Sequence, residues 1–179
     1  LRWVGRHHLP KEGPFILAAN HTTGLDGFVL QATSPRLIRW VMLREYLFGW
    51  LGPLWKTFRP ITLAMNASDR TSIRQIVTAL ERGEPVGIFP EGRLQRDHRV
   101  LGAFEPGVGL IARRSGVPIV PAWINGTPRT RSMLSHFLLP SRTTVLFGRP
   151  WMPEPGLSNE QVAQRLREKM LDLAESLDK

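Results

Sequence analysis

Asn20-His21-Thr22-Thr23-Gly24-Leu25-Asp26 places a histidine and an aspartate five positions apart, directly after the apolar run Phe15-Ile16-Leu17-Ala18-Ala19. Imidazole is the side chain that titrates nearest neutrality, so a histidine beside a carboxylate has the makings of a general base and its orienter. Spacing decides whether the two can meet. On a continuous helix five residues turn about 500°, which would leave the side chains about 140° apart. Gly24 permits a tight turn instead, with His21 at the end of a strand and Asp26 in the first turn of the next helix. Asp26 would then fix the imidazole tautomer and stabilise the imidazolium, leaving His21 to take a proton from an incoming hydroxyl. No serine or cysteine motif stands beside the pair and there is no G-x-S-x-G elbow. The nucleophile is therefore expected to be a hydroxyl of the substrate.

A second group of reactive types, Phe89-Pro90-Glu91-Gly92-Arg93, closes another apolar run. Proline and glycine force a turn at the strand end, which is where open α/β sheets bind ligands. Arg93 can grip a phosphate through two parallel hydrogen bonds. Glu91 can accept from a substrate hydroxyl or hold Arg93 in place. A base, its orienter and a charged turn are the parts needed for an oxygen nucleophile to attack an acyl group.

Elements that could position these groups are readable along the chain. Strands are expected at Phe15–Ala19, Leu37–Leu43, Ile61–Met65, Val86–Phe89, Val117–Ile124 and Thr143–Phe147, all short, apolar and rich in β-branched residues. Helices alternate with them. Ile73, Ile76, Val77 and Leu80 fall at i, i+3, i+4 and i+7, with Gly83 as a stop. A helix of about two turns is expected from Val108 to Arg114, between Pro106 and Gly116. Ser158 and Gln161 can form a capping box ahead of the stripe Val162, Leu166, Met170, Leu173 and Leu177. Pro150, Pro153, Pro155 and Gly156 make a stiff connector before that helix. This pattern reads as a single α/β domain over residues 1–179, with a mixed, mostly parallel sheet flanked by helices.

Composition bounds the function classes. The chain has 179 residues, 42% of them hydrophobic, enough for a proper core. It opens on Leu1 rather than methionine, so a domain from a longer protein is expected. No signal peptide is expected from these residues, and no apolar run among them approaches the roughly 20 residues of a membrane-spanning helix. The absence of cysteine excludes disulfides, thiolate zinc sites and a cysteine nucleophile. His7 and His8 are adjacent and would point apart in extended chain, so no metal site is expected. A net charge of +9 implies an anionic partner: lipid headgroups, an acidic carrier protein or nucleic acid. No helix-turn-helix, zinc or base-stacking signature supports nucleic acid. Tyr46, Leu47, Phe48, Trp50, Leu51, Leu54, Trp55 and Phe58 crowd one stretch, flanked by Arg44, Lys56 and Arg59. It could lie in a lipid interface, aromatic side down, or form a buried helix pair.

His21-x4-Asp26 and Phe89-Pro90-Glu91-Gly92, in this order and spacing, resemble motifs I and III of the glycerophospholipid acyltransferases. That group contains 1-acyl-sn-glycerol-3-phosphate acyltransferase. Leu9-Pro10-Lys11-Glu12-Gly13-Pro14 is similar to the usual lead-in to motif I, and Gly116-Val117-Pro118-Ile119-Val120-Pro121-Ala122 resembles motif IV. The resemblance covers roughly residues 5–150. It implies a glycerol-3-phosphate acyltransferase-like fold, with His21 as general base and Asp26 as its partner. The hydroxyl of a lysophospholipid or lysophosphatidate would attack the thioester of acyl-CoA or of an acyl carrier protein. Glu91, Gly92 and Arg93 would match the acceptor-binding turn, and Pro121 would belong to the motif that shapes the acyl-donor site. No cofactor or metal is implied, because a thioester is already activated, and the setting implied is the cytoplasmic face of a membrane.

Two features depart from the common pattern. The family usually has Phe-Pro-Glu-Gly-Thr-Arg, and here Arg93 comes one residue earlier. Motif II usually carries an arginine just after its strand, and Ile61-Thr62-Leu63-Ala64-Met65-Asn66 has none. Both are closer to the acyltransferase domain of the bifunctional 2-acylglycerophosphoethanolamine acyltransferase/acyl-carrier-protein synthetases. The alternatives from other classes are a non-catalytic basic module on anionic membrane or nucleic acid, and a thioester hydrolase.

Overall fold

Seven short strands build one sheet: β1 (Arg2–Val4), β2 (Ile16–Ala19), β3 (Arg39–Leu43), β4 (Ile61–Leu63), β5 (Val86–Ile88), β6 (Ile119–Asn125) and β7 (Thr144–Phe147). This computed structural model describes residues 1–47, 52–63, 70–95, 101–127 and 142–177. The strand order is β1-β7-β6-β2-β5-β3-β4. Every neighbouring pair is parallel except β6 with β7. The sheet is thus the mixed, mostly parallel one expected, and six strands fall on the apolar runs. β1 was not expected: it is three residues long and exposed throughout, paired with β7 through the backbone and with the Arg6 guanidinium over its Trp3 ring. The end of the Ile61–Met65 run lies outside the described residues.

Alternation sorts the strand residues onto two covered faces. Ile16 and Ala18 of β2 point to one face, with Val86, Ile88 and Ile119. Helices α3 (Arg70–Glu81), α4 (Gly107–Ser115) and α5 (Asn159–Glu175) cover that face through Ile76, Leu80, Ile111, Leu166 and Met170. Leu17 and Ala19 point to the other face, with Trp40, Val120, Ile124 and Phe147, under helix α1 (Asp26–Thr33) through Leu30. Helix α2 (Gly52–Phe58) lies against α1, where Trp55 and Phe58 each come within 6.3 Å of the Phe28 ring. The aromatic stretch read from sequence is therefore partly packed on α1 from Trp55 to Phe58, half-buried, while residues 48–51 lie outside the described residues. No described helix is long and apolar enough to cross a membrane.

The helix signals hold in detail. Ser158 accepts from the Gln161 backbone N–H at 3.2 Å, and the Gln161 side chain accepts from the Ser158 N–H at 2.8 Å. Gly116 ends α4 in the left-handed region at φ 62°. Helices α4 and α5 cross so closely at Gly109 that an added Cβ would lie 2.2 Å from the Asn159 carbonyl oxygen. Gly109→Ala is expected to destabilise the fold by about 1–3 kcal/mol through overpacking. It should appear as a lower urea midpoint with an unchanged slope, and an unchanged midpoint would contradict the close crossing.

Candidate active site

The order β6-β2-β5 puts β2 at the centre, with both neighbours parallel to it. The segments leaving β2, β5 and β6 therefore emerge side by side at one end of the sheet. Asn20 pins the first crossing. Its side-chain amide donates to the Ile124 carbonyl at 2.9 Å and accepts from the Ile124 N–H at 2.7 Å. Beyond it the chain turns, and α1 begins at Asp26 with no side-chain cap on Leu25.

Asp26 is fully buried, and its carboxylate is surrounded by donors. Oδ2 accepts from the backbone N–H of Thr22 at 2.6 Å and of Thr23 at 2.8 Å. The Thr23 hydroxyl donates to Oδ1 at 2.9 Å. Nδ1 of His21 stands 3.1 Å from Oδ2. With Asp26 ionised, Nδ1 must carry the hydrogen, and Nε2 is the atom with a free lone pair. Among the described residues nothing bonds to Nε2, and the His21 side chain is 21% exposed. The turn thus brings histidine and aspartate together, with Gly24 outside the left-handed region and open space where a Cβ would stand.

The second motif arrives from β5. The Gly92 N–H donates to the Phe89 carbonyl at 3.1 Å and closes the turn, with Gly92 at φ 66°. The Phe89 ring stacks on the His21 imidazole, centroids 3.9 Å apart and planes 12° apart. Beyond the turn, the Gln95 N–H donates to the His21 carbonyl at 2.7 Å, so the segment carrying Arg93 folds back beside the base. Arg93 is exposed, and no described residue pairs with it.

Glu91 is buried, and each of its oxygens accepts one hydrogen bond from the protein backbone. Oε1 accepts from the His21 N–H at 3.1 Å and Oε2 from the Gly102 N–H at 3.0 Å, and the residue is 3% exposed. Glu91 ties the His21 turn to the Gly102 loop. Pro121 lies apart from His21. It is buried in mid-strand, its carbonyl accepting from the Gly148 N–H at 2.8 Å. Its ring shares the space above Gly148 with Leu173, on the α5 face, whereas His21 and Phe89 lie on the α1 face.

The sequence reading passed over Asn20, Thr22, Thr23, Phe89 and Gly102 as site residues. Thr22 also reaches the Thr127 hydroxyl at 3.0 Å, which ties the turn to the end of β6. Two threonines before an aspartate at a helix start are a local signal for such a capping turn. Nothing in the sequence points to Gly102 or Thr127. Among the described residues no group of three histidines or carboxylates could hold a metal. A depression of about 220 Å³ lies at the opposite end of the strands, between Arg36, Arg39, Phe58 and Glu84. Its Arg39 is already paired with Glu84 at 2.7 Å.

Comparison with known proteins places this architecture. The Acyltransferase family profile matches residues 1–125. A 1-acyl-sn-glycerol-3-phosphate acyltransferase of Chlamydomonas reinhardtii is 30% identical over 129 residues, 69% of this chain and 38% of that protein. The enzyme of the same name from Bacillus subtilis is 27% identical over 68% of this chain and 60% of its own length. The alpha form from Bos taurus is 27% identical over 93% of this chain and 60% of its own. This chain therefore spans between 38% and 60% of those relatives. The crystal structure of the 1-acyl-sn-glycerophosphate acyltransferase from Thermotoga maritima superposes with a TM-score of 0.76 over 98% of this chain and 71% of that one. At 20% identity that likeness shows the fold.

Burial raises the pKa of Glu91 above its ordinary 4.5, against the pull of the Gly102 and His21 N–H groups. The folded protein then holds this proton at pH values where the unfolded chain has lost it. The corresponding stability is complete below the ordinary value and is lost as pH rises through the raised one. Glu91→Gln should remove that decline. Urea midpoints measured across the acid range should converge or diverge from wild type only within that window, and parallel curves would contradict it.

Proposed function

This chain belongs to the acyltransferase family of glycerophospholipid enzymes, and on that premise we propose that it moves a fatty acyl group from a thioester to the free hydroxyl of a lysophosphatidate. The observation that carries the reading is the 3.1 Å contact of His21 Nδ1 with a buried Asp26, which leaves Nε2 open at the carboxyl end of the sheet. Nε2 takes the proton of the acceptor hydroxyl as its oxygen forms the new ester bond to the thioester carbonyl. The C–S bond then breaks, and the imidazolium returns the proton to the departing sulfur. Atoms and charge balance without a metal or organic cofactor, since the thioester supplies the driving force. Acyl-CoA and an acylated carrier protein present the same reacting bond, and either serves as the donor in this scheme.

Arg93 is the group we assign to the acceptor phosphate, because it is exposed beside the base and unpaired among the described residues. Gly92 shapes the turn that presents it. Glu91 supports the site from within the protein through the His21 and Gly102 N–H groups. The relatives are named for 1-acyl-sn-glycerol-3-phosphate, so we favour that acceptor over the lysophosphatidylethanolamine of the bifunctional enzymes. The acceptor's single acyl chain partitions into a bilayer, so this end of the sheet must reach the lipid surface. Arg44, Arg93 and Arg142 are exposed there without an ion pair among the described residues, and Leu94, beside Arg93, is 42% exposed. Unpaired cations around an apolar residue suit anionic headgroups.

The test uses labelled acyl-CoA and acyl carrier protein against a panel of lysolipids, with product identification. His21→Ala should abolish transfer with circular dichroism unchanged, and turnover near wild type would refute the role. Asp26→Asn should lower kcat by roughly 10²–10⁴-fold, the range of a weakened general base. An asparagine oxygen can keep the three N–H bonds to Oδ2, and the Thr23 hydroxyl can turn to accept from the new amide. The loss is then of the charge that stabilises the imidazolium, not of the tautomer or the loop. Thioester cleavage at an equal rate without acceptor would favour a hydrolase.

A further inference from the structure

Three rings climb the α1 face of the sheet toward the base. Trp40 sits opposite Gly87 in the β3–β5 register. Phe89 lies two residues beyond Gly87 and so shares its face. The Phe89 ring stacks on Trp40, centroids 5.3 Å apart and planes 17° apart, and on His21 at 3.9 Å. Two glycines make room for the indole. A Cβ at Gly87 would lie 2.5 Å from its ring atoms, and one at Gly27 would lie 3.6 Å away. Trp40 is thus clamped between sheet and helix.

The indole is not placed there for its hydrogen bond. Trp40 is 8% exposed, and its Nε1 is buried with no partner among the described residues. An unsatisfied buried donor is unfavourable, so the ring's contacts must outweigh it. Asp26 fixes one edge of the imidazole, but a single edge contact leaves the ring free to tilt about it. A flat aromatic surface against the ring face removes that freedom.

We propose that Phe89, held by Trp40, is a positioning residue for His21, fixing the imidazole plane and stabilising the imidazolium through its π face once the hydroxyl proton has moved. The inference rests on His21 being the base. The charged ring forms only as the reaction proceeds, so attraction by the Phe89 face acts more on the transition state than on the resting enzyme. Asp26 steadies the same cation from the edge, and Glu91 reaches only the His21 backbone. Among the described residues, those two carboxylates and the Phe89 ring are the side-chain groups in contact with His21, and the nearby turn carries the exposed cation Arg93.

The test compares wild type with Phe89→Leu and Phe89→Tyr. Leucine keeps apolar bulk and loses the π face, whereas tyrosine keeps both. NMR titration of the labelled His21 ring needs no substrate. Its midpoint should fall to lower pH in Phe89→Leu and stay near wild type in Phe89→Tyr, and the upfield ring-current shift should vanish only in the former. With acyl-CoA and 1-acyl-sn-glycerol-3-phosphate as probes, Phe89→Leu should lower kcat by about 3- to 30-fold at unchanged acceptor KM, with tyrosine restoring most of it. Gly87→Ala, which displaces the indole, should shift the His21 resonances in the same sense. A titration midpoint equal to wild type in a folded Phe89→Leu overturns the inference. Active His21→Ala would instead overturn the general-base reading while leaving the NMR result standing.

Discussion

The Asp26 carboxylate is a charge taken wholly out of water, and the site is built around keeping it satisfied. An isolated buried carboxylate would protonate, so this one needs donors on every side. The backbone supplies two N–H groups from Thr22 and Thr23, the Thr23 hydroxyl a third donor, and His21 Nδ1 the fourth. Meeting those donors fixes the path from Asn20 to Asp26 and starts α1. The same constraint orients the imidazole. A loop shaped to bury one charge therefore becomes a loop that presents one open nitrogen.

Sheet topology does the rest. Because β2 lies between β5 and β6, the two motifs that sequence separates by about 65 residues leave the sheet as neighbours. Asn20 locks β2 to β6 by gripping both backbone groups of Ile124. Glu91 locks β5 to the His21 backbone and to Gly102. His21 is thus held by rigid elements on both flanks, as the proposed role of general base would require.

Much of this was legible in the chain because the signals were local. Apolar runs marked six strands, Ser158 and Gln161 marked a helix start, and the five-residue spacing of His21 and Asp26 marked the turn that joins them. The misses have a common cause. Glu91 looks like a surface acid in sequence, and only the return of Gly102, eleven residues on, turns it into a buried brace. Pro121 sits within a family-like motif, yet strand alternation turns its ring to the α5 face. β1 was not expected, being three exposed residues paired with β7 through the backbone. The aromatic column could have been found: a glycine inside β5, with Phe89 two residues later, is the usual sign of a close approach on one sheet face.

The basic balance of the chain acquires a place in this account. Arginines exposed at the carboxyl end of the sheet would draw the anionic acceptor we propose toward His21. The chemistry, however, depends on which imidazole nitrogen carries the hydrogen. Nitrogen-15 NMR of the ring at a pH where it is neutral reads this directly. The account predicts one dominant tautomer for His21, with hydrogen on Nδ1 and a pyridine-type Nε2. A resonance pattern with hydrogen on Nε2, or an even mixture of the two, would contradict it.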